Sequence, residues 1–318
     1  MAGRWARLAA AFFCIGLVAS RVSLVLHELV GHGAVAMALG GRVAAYHLFL
    51  FGGGWVSYRW GPEHGTAATI AVSMGGIALE VVAAAAALIA ARWLGQRAPI
   101  ARLALVGFAT ADLLHAGFYL AAGAHHGFGD GRVLRDQLGA ARAVLVWPVA
   151  CAVVVAGFFL ARRLAGLAGD WVGAPTRGGR TAALVSAALV AGLLHGGLAV
   201  AERVAARDAT YSRIMKPERD RQVEGEMERL AREARGQGAP LDERQLAALR
   251  AELERRAREF PLAPVLIGAL VLACAAGVWR GGSRADGEPR APSWRALVPL
   301  GAAAGAAMAL VAVLRLFE

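Results

Sequence analysis

Long apolar runs separated by short polar joints dominate the chain. They fall at 8–39, 66–91, 101–123, 143–160, 181–200, 262–279 and 296–315, and each approaches or exceeds the roughly 18–20 residues that cross a bilayer as α-helix. The pattern predicts an all-α polytopic membrane protein with about seven transmembrane helices. At about 1.5 Å per residue the first run outlasts a hydrocarbon core of about 30 Å, so that helix must tilt, bend or project.

Two stretches depart from this pattern. Between Gly40 and Gly61 the runs VAAYHLFLF and WVSYRW flank Gly52, Gly53 and Gly54, which predicts a short β-hairpin over 43–60. An open sheet edge cannot face lipid, so such a ribbon packs against protein or lines a wet cavity. From Glu202 to Phe260, thirteen acidic and fourteen basic residues replace the apolar pattern. Within this stretch Val223, Met227 and Leu230 recur at helical spacing, as do Leu246, Leu249, Leu253 and Ala257. GQGAP separates the two sets, and Asp242 stands where it can cap the second helix. This reads as an extramembrane amphipathic helical hairpin whose mixed charges form a solvated face. Four segments result: a membrane-embedded core at 1–142 with three spans and the β-hairpin, two further spans at 143–200, the helical hairpin at 201–261, and two C-terminal spans at 262–318.

Composition changes the picture in one respect. A formal charge of +11, almost all of it arginine, suggests a nucleic-acid partner until the positions are considered. The arginines sit at the ends of the apolar runs, where they anchor helices at the headgroups, so the partner is the lipid bilayer and no nucleic acid is expected. The excess of arginine in one set of short loops favours an amino terminus on the inside. Cys14, Cys151 and Cys274 each fall in a predicted span and make no disulfide framework or cysteine metal motif. The first twenty residues also have the pattern of a signal peptide, but apolar character resumes at once with VSLVL, so an uncleaved first helix is the simpler reading. The Ala/Arg-rich composition points to a bacterial protein of the cytoplasmic membrane.

Ionisable residues inside apolar spans are costly and are functional candidates by default. His27, Glu28 and His32 lie together in HELVGHG. In the metalloprotease motif His-Glu-x-x-His, two imidazoles sit one turn apart with the glutamate between them as general base; here the second histidine comes one residue late. In regular α-helix, at about 100° per residue, such a pair is displaced by roughly 140° and cannot face one ion. A π-bulge widens the turn and realigns them, and Gly31 and Gly33 permit it, so a distorted helix is predicted around Val30 and Gly31. A catalytic zinc site needs three protein ligands and an open position. Asp112, His115, His125, His126 and Asp130, within or just after the third span, are the candidates for the third ligand. If spans alternate in direction, the distal ends of spans one and three share a membrane face, and Asp130 can reach HELVGHG. Asp112 and His115, one turn apart, either orient a ligand or form a structural pair. Glu80, after Gly75 and Gly76, faces the cavity or pairs with an arginine. His195, flanked by glycines, is expected to hydrogen-bond across helices.

HELVGHGAVAMALGG resembles the first signature of the site-2 proteases, intramembrane zinc metalloproteases, with HExxxH in place of HExxH. GFGDGRVLRDQL, Gly127 to Leu138, resembles that family's second signature, an Asp-Gly pair followed by arginine and an apolar helix. GGGWVSY is similar to the β-ribbon that follows the zinc helix, and SMGGIALE to the small-residue turn of the next span. The likeness covers about residues 20–140. It implies a Zn2+ cofactor held by His27, His32 and Asp130, with His126 as the alternative third ligand, and Glu28 as general base. It also implies cleavage of a membrane-anchored protein substrate, unwound and held by strand addition at the hairpin. In this family the zinc helix usually enters from the outer side, against the arginine count. The alternative is a catalytically inactive metal-binding scaffold or chaperone-like relative, with the 202–260 helices as its working surface. A transporter using His and Asp as a proton path is the third reading.

Overall fold

The computed structural model describes residues 2–60, 64–95, 97–126, 129–174, 176–207, 218–257, 262–280 and 292–318. Helix α1 (Ala2–Val25) runs without a break into a π-helical segment, Leu26–Ala34, and ends in α2 (Val35–Ala38). Strands β1 (Arg42–Leu48) and β2 (Gly54–Arg59) form an antiparallel ribbon in which Leu48 pairs with Gly54 and Arg42 with Arg59, with a register shift between Val43 and Ala45. Then follow α3 (Thr66–Leu94), α4 (Pro99–His126), α5 (Gly131–Leu138), α6 (Arg142–Leu145), α7 (Trp147–Val172) and α8 (Arg177–Ala206). The remaining helices are α9 (Glu218–Gly236), α10 (Glu243–Arg256), α11 (Leu262–Arg280) and α12 (Trp294–Leu314).

Six helical stretches among the described residues are long and apolar enough to cross a membrane: Ala2–Ala38, Thr66–Leu94, Pro99–Ala121, Trp147–Gly169, Arg177–Ala206 and Trp294–Phe317. The seventh expected span does form a helix, α11, but its apolar stretch Val265–Trp279 is shorter than the rest. Helix α7 outlasts its predicted run, which ends at 160, because Arg162 and Arg163 lower the hydropathy without opposing the helix. It stops where Gly173 takes the left-handed conformation (φ 66°) that terminates helices. Thr176 then caps α8, its hydroxyl accepting the Gly179 amide at 3.1 Å.

Helix α1 packs against α4, α8 and α12, while α4 lies between α3 and α7. Leu8, Ile15, Leu103, Trp171, Leu184 and Leu297 form the largest buried cluster. A second, with Ile77, Ala116, Leu120, Leu134 and Val146, joins α3 and α4 to α5 and α7 beneath the Asp130 turn. Large apolar side chains also point outward along the long helices, among them Trp93, Phe159, Leu193, Leu272 and Val298. A surface so apolar suits contact with lipid. The polar hairpin is helical as expected. Asp242 caps α10 with its side chain on the Gln245 amide at 2.8 Å, and the Gln245 side chain returns to the Asp242 amide at 3.0 Å. Val223 of α9 is buried, and α9 lies against α4.

The loop between the two strands is gripped from both sides. Arg21, buried in α1, donates to the carbonyls of Phe49, Phe51 (3.3 Å) and Gly52 (2.6 Å). Glu202, near the end of α8, accepts the amides of Leu50 (2.7 Å), Phe51 (2.6 Å) and Gly52 (3.1 Å), and Arg315 lies 3.3 Å from the same carboxylate. Strand β1 is tied to the end of α12: the Tyr46 hydroxyl donates to the Leu314 carbonyl at 2.8 Å, and the Leu48 amide to the Glu318 carboxylate at 2.7 Å. Backbone groups that would otherwise be exposed to an apolar medium are thereby paired.

Candidate metal centre

The π-helical segment Leu26–Ala34 is the widened turn that the late histidine requires. In it His27 and His32 lie with ring centroids 4.7 Å apart and planes at 86°, both rings buried. Gly31 serves a different purpose from simple pliancy. A Cβ there would fall 2.7 Å from the backbone nitrogen of Gly76 and 2.9 Å from the carbonyl carbon of Gly75, so the two helices touch backbone to backbone. A Cβ on Gly76 would in turn stand 2.8 Å from Cε1 and Nε2 of His27. The small residues of SMGGIALE lie inside continuous helix α3, where they make room for the imidazole.

Asp130 arrives from the turn between α4 and α5. Gly129 has φ 53°, reached without strain only by glycine. A side chain on Gly131 would collide with the backbone of α4, 2.6 Å from Cα of Gly123 and 2.7 Å from the carbonyl oxygen of Tyr119. The glycines on either side of Asp130 thus let the turn lie flat on α4 and carry the carboxylate to both histidines. His27 Nε2 is 2.9 Å from Oδ2 of Asp130, and His32 Nε2 is 3.2 Å from Oδ1.

The other ring nitrogens are held away from this point. Nδ1 of His32 donates to the Val72 carbonyl at 2.7 Å, which leaves the Nε2 lone pair for a ligand bond. Nδ1 of His27 lies 2.9 Å from Oε1 of Glu80, the carboxylate partner common behind metal-binding histidines. Zinc with ligands at about 2.0–2.1 Å in tetrahedral array separates its donor atoms by about 3.3 Å. The observed 2.9 and 3.2 Å are within a few tenths of an ångström of that spacing, and the donor atoms of His27, His32 and Asp130 all lie within 4.8 Å of one another. The residues therefore fit a divalent ion with nitrogen and oxygen ligands. Glu28 follows His27 on the same turn, and its carboxylate lies in the electrostatic field of His27, His32 and Asp130.

The remaining expectations divide. His126 ends α4, but its side chain, like that of His125, lies outside the described residues, as do residues 127–128 of the second signature. Glu80 pairs with two histidines rather than with arginine: besides His27, it lies 2.7 Å from Nδ1 of His115. His115 thus reaches a ligand through Glu80. Asp112 accepts a hydrogen bond from the Ser23 hydroxyl of α1 instead of meeting a ligand. Among the described residues, His195 has a buried Nδ1 without a hydrogen-bond partner, and nothing lies within 4 Å of a Cβ placed on Gly196 or Gly197, where a close helix was expected. Sequence reasoning missed the Val72 carbonyl, a backbone group with no signature, and underrated Glu80, whose position in an apolar run was the one available signal. Comparison of the chain with protein-family models, curated proteins and solved structures finds no match.

Proposed function

We propose that the chain is an intramembrane zinc metalloprotease of the bacterial cytoplasmic membrane, hydrolysing peptide bonds of membrane-anchored protein substrates. The observation that carries this reading is the convergence of His27 Nε2 and His32 Nε2 on the carboxylate of Asp130, with Glu28 on the same turn as both histidines. It agrees with the resemblance of HELVGHG and GFGDG to the two site-2 protease signatures. His27, His32 and Asp130 would hold the zinc, which would supply a Lewis acid and lower the pKa of a bound water. Glu28 takes the proton of the attacking water and delivers it to the leaving amine. Glu80 and the Val72 carbonyl hold the two imidazoles with their Nε2 atoms toward Asp130. The hairpin holds an unwound substrate in extended form by strand addition, since a peptide bond within a helix is shielded from attack.

The test compares purified wild type with Glu28→Gln on membrane-anchored candidate substrates, alongside zinc content. Both proteins are expected to hold zinc, and the variant to cleave about 10²–10⁴ times more slowly. If both bind zinc and are equally inert on every substrate, the inactive scaffold takes the place of the protease.

A further inference from the structure

The ring of His27 has chemistry on both sides. Its Nε2 faces Asp130 and His32; its Nδ1 faces Oε1 of Glu80, which is shared with Nδ1 of His115 at 2.7 Å. The donor atoms of His27, Glu80 and His115 also lie within 4.8 Å of one another. Orienting His27 requires only one oxygen of Glu80. Yet the residue is 1 % exposed, and its second oxygen, Oε2, is buried with no hydrogen-bond partner among the described residues. Asp112, one turn before His115 on α4 and likewise 1 % exposed, also buries an oxygen, Oδ2, without a partner among the described residues, and its field reaches Glu80, His115 and His27. Two unpaired carboxylate oxygens in so apolar a place are costly, and a cation bound at Glu80 offsets that cost.

We propose that Glu80 and His115, with Nδ1 of His27, form a second divalent-cation site behind the first, with Asp112 supplying neighbouring negative charge. It rests on the preceding reading only for the role of His27, whose ring then serves both ions. Nitrogen and carboxylate donors in this number suit Zn2+ or Co2+. The ion bonds to the His115 Nδ1 lone pair, a Glu80 oxygen and the His27 Nδ1 lone pair, and the proton on that Nδ1 is released to solvent. That displaced proton makes the second site the weaker of the two. The His115 side chain, 46 % exposed, provides the way in.

The test titrates chelator-stripped, full-length protein in detergent with Co2+ alone, reading bound metal per chain and the visible cobalt absorption. Wild type is expected to bind two ions, the second at least about tenfold more weakly. His115→Ala is expected to bind one, with the spectrum of wild type carrying a single ion. Asp112→Asn, which preserves shape, should weaken the second ion about tenfold. Unchanged size-exclusion elution shows that the variants are folded. If wild type takes one ion and His115→Ala also takes one, the second site is overturned and the first stands. If Asp130→Ala still takes one ion, and loses it on adding His115→Ala, the second site stands while the three-ligand first site falls.

Discussion

Gly76 decides how closely a metal ligand can be held. The methyl of Gly76→Ala would stand 2.8 Å from the His27 ring, so the imidazole must turn or α3 must retreat. Overpacking of this kind costs about 1–3 kcal/mol, and a ligand moved off its axis loses about tenfold or more in metal affinity. Zinc titration of Gly76→Ala against a competing chelator is expected to show that loss. Gly16→Ala, at a helical position with nothing within 4 Å among the described residues, should leave metal affinity unchanged. Gly129 and Gly131 act at the same scale: their missing side chains bring Asp130 to the histidines. GFGDG could be recognised from sequence as a turn, but the close approach to Tyr119 and Gly123 that makes the turn useful could not.

At the scale of elements, the π-helical segment reconciles two demands on one helix. Its amino-terminal part presents Arg21 to the strand loop and Ser23 to Asp112, while its carboxy-terminal part presents two histidines to Asp130. Deleting Val30 restores His-Glu-x-x-His spacing, yet rotates everything before it by about 100° relative to the rest. The expected outcome is a less stable protein rather than a better site, seen as earlier aggregation on heating in detergent. Higher thermal stability in that variant would refute this account of the extra residue. The segment was legible in advance because a spacing of five from one histidine to the next conflicts with the helical repeat, and the hairpin because three glycines separate two β-prone runs. The strap on that hairpin was not legible, since Arg21 and Glu202 bind backbone groups 28 to 31 and 150 to 152 residues away. The length of α7 was also hidden, because hydropathy measures affinity for lipid and not for helix.

Across the whole molecule, the proposed ion joins three separate elements: His27 and His32 from the first helix and Asp130 from the turn after α4, with Glu80 of α3 behind them. An ion that binds only the folded form stabilises it, by about 2.7 kcal/mol when free metal is about 100 times Kd. Chelation is therefore expected to lower the melting midpoint of wild type, and to lower that of Asp130→Ala by less. Equal shifts in both would place the stabilising metal elsewhere. The seven expected spans become, among the described residues, six long apolar helices and the shorter α11. The sequence located each of these helices, but it did not reveal that α1 would be flanked by α8 and α12 from the far end of the chain.

The grip on the strand loop has an evolutionary corollary. The hydrogen bonds from Arg21 and to Glu202 meet carbonyls and amides of residues 49–52. Selection can therefore act on the path of this loop while its residue identities drift. In a saturation library, positions 50 to 52 should accept most replacements, judged by yield of folded protein, and reject proline, which removes the amide that Glu202 requires. Arg21 and Glu202 themselves should be nearly invariant. Relatives of this chain would then be better found by Arg21 and Glu202 and the spacing around them than by the loop's letters.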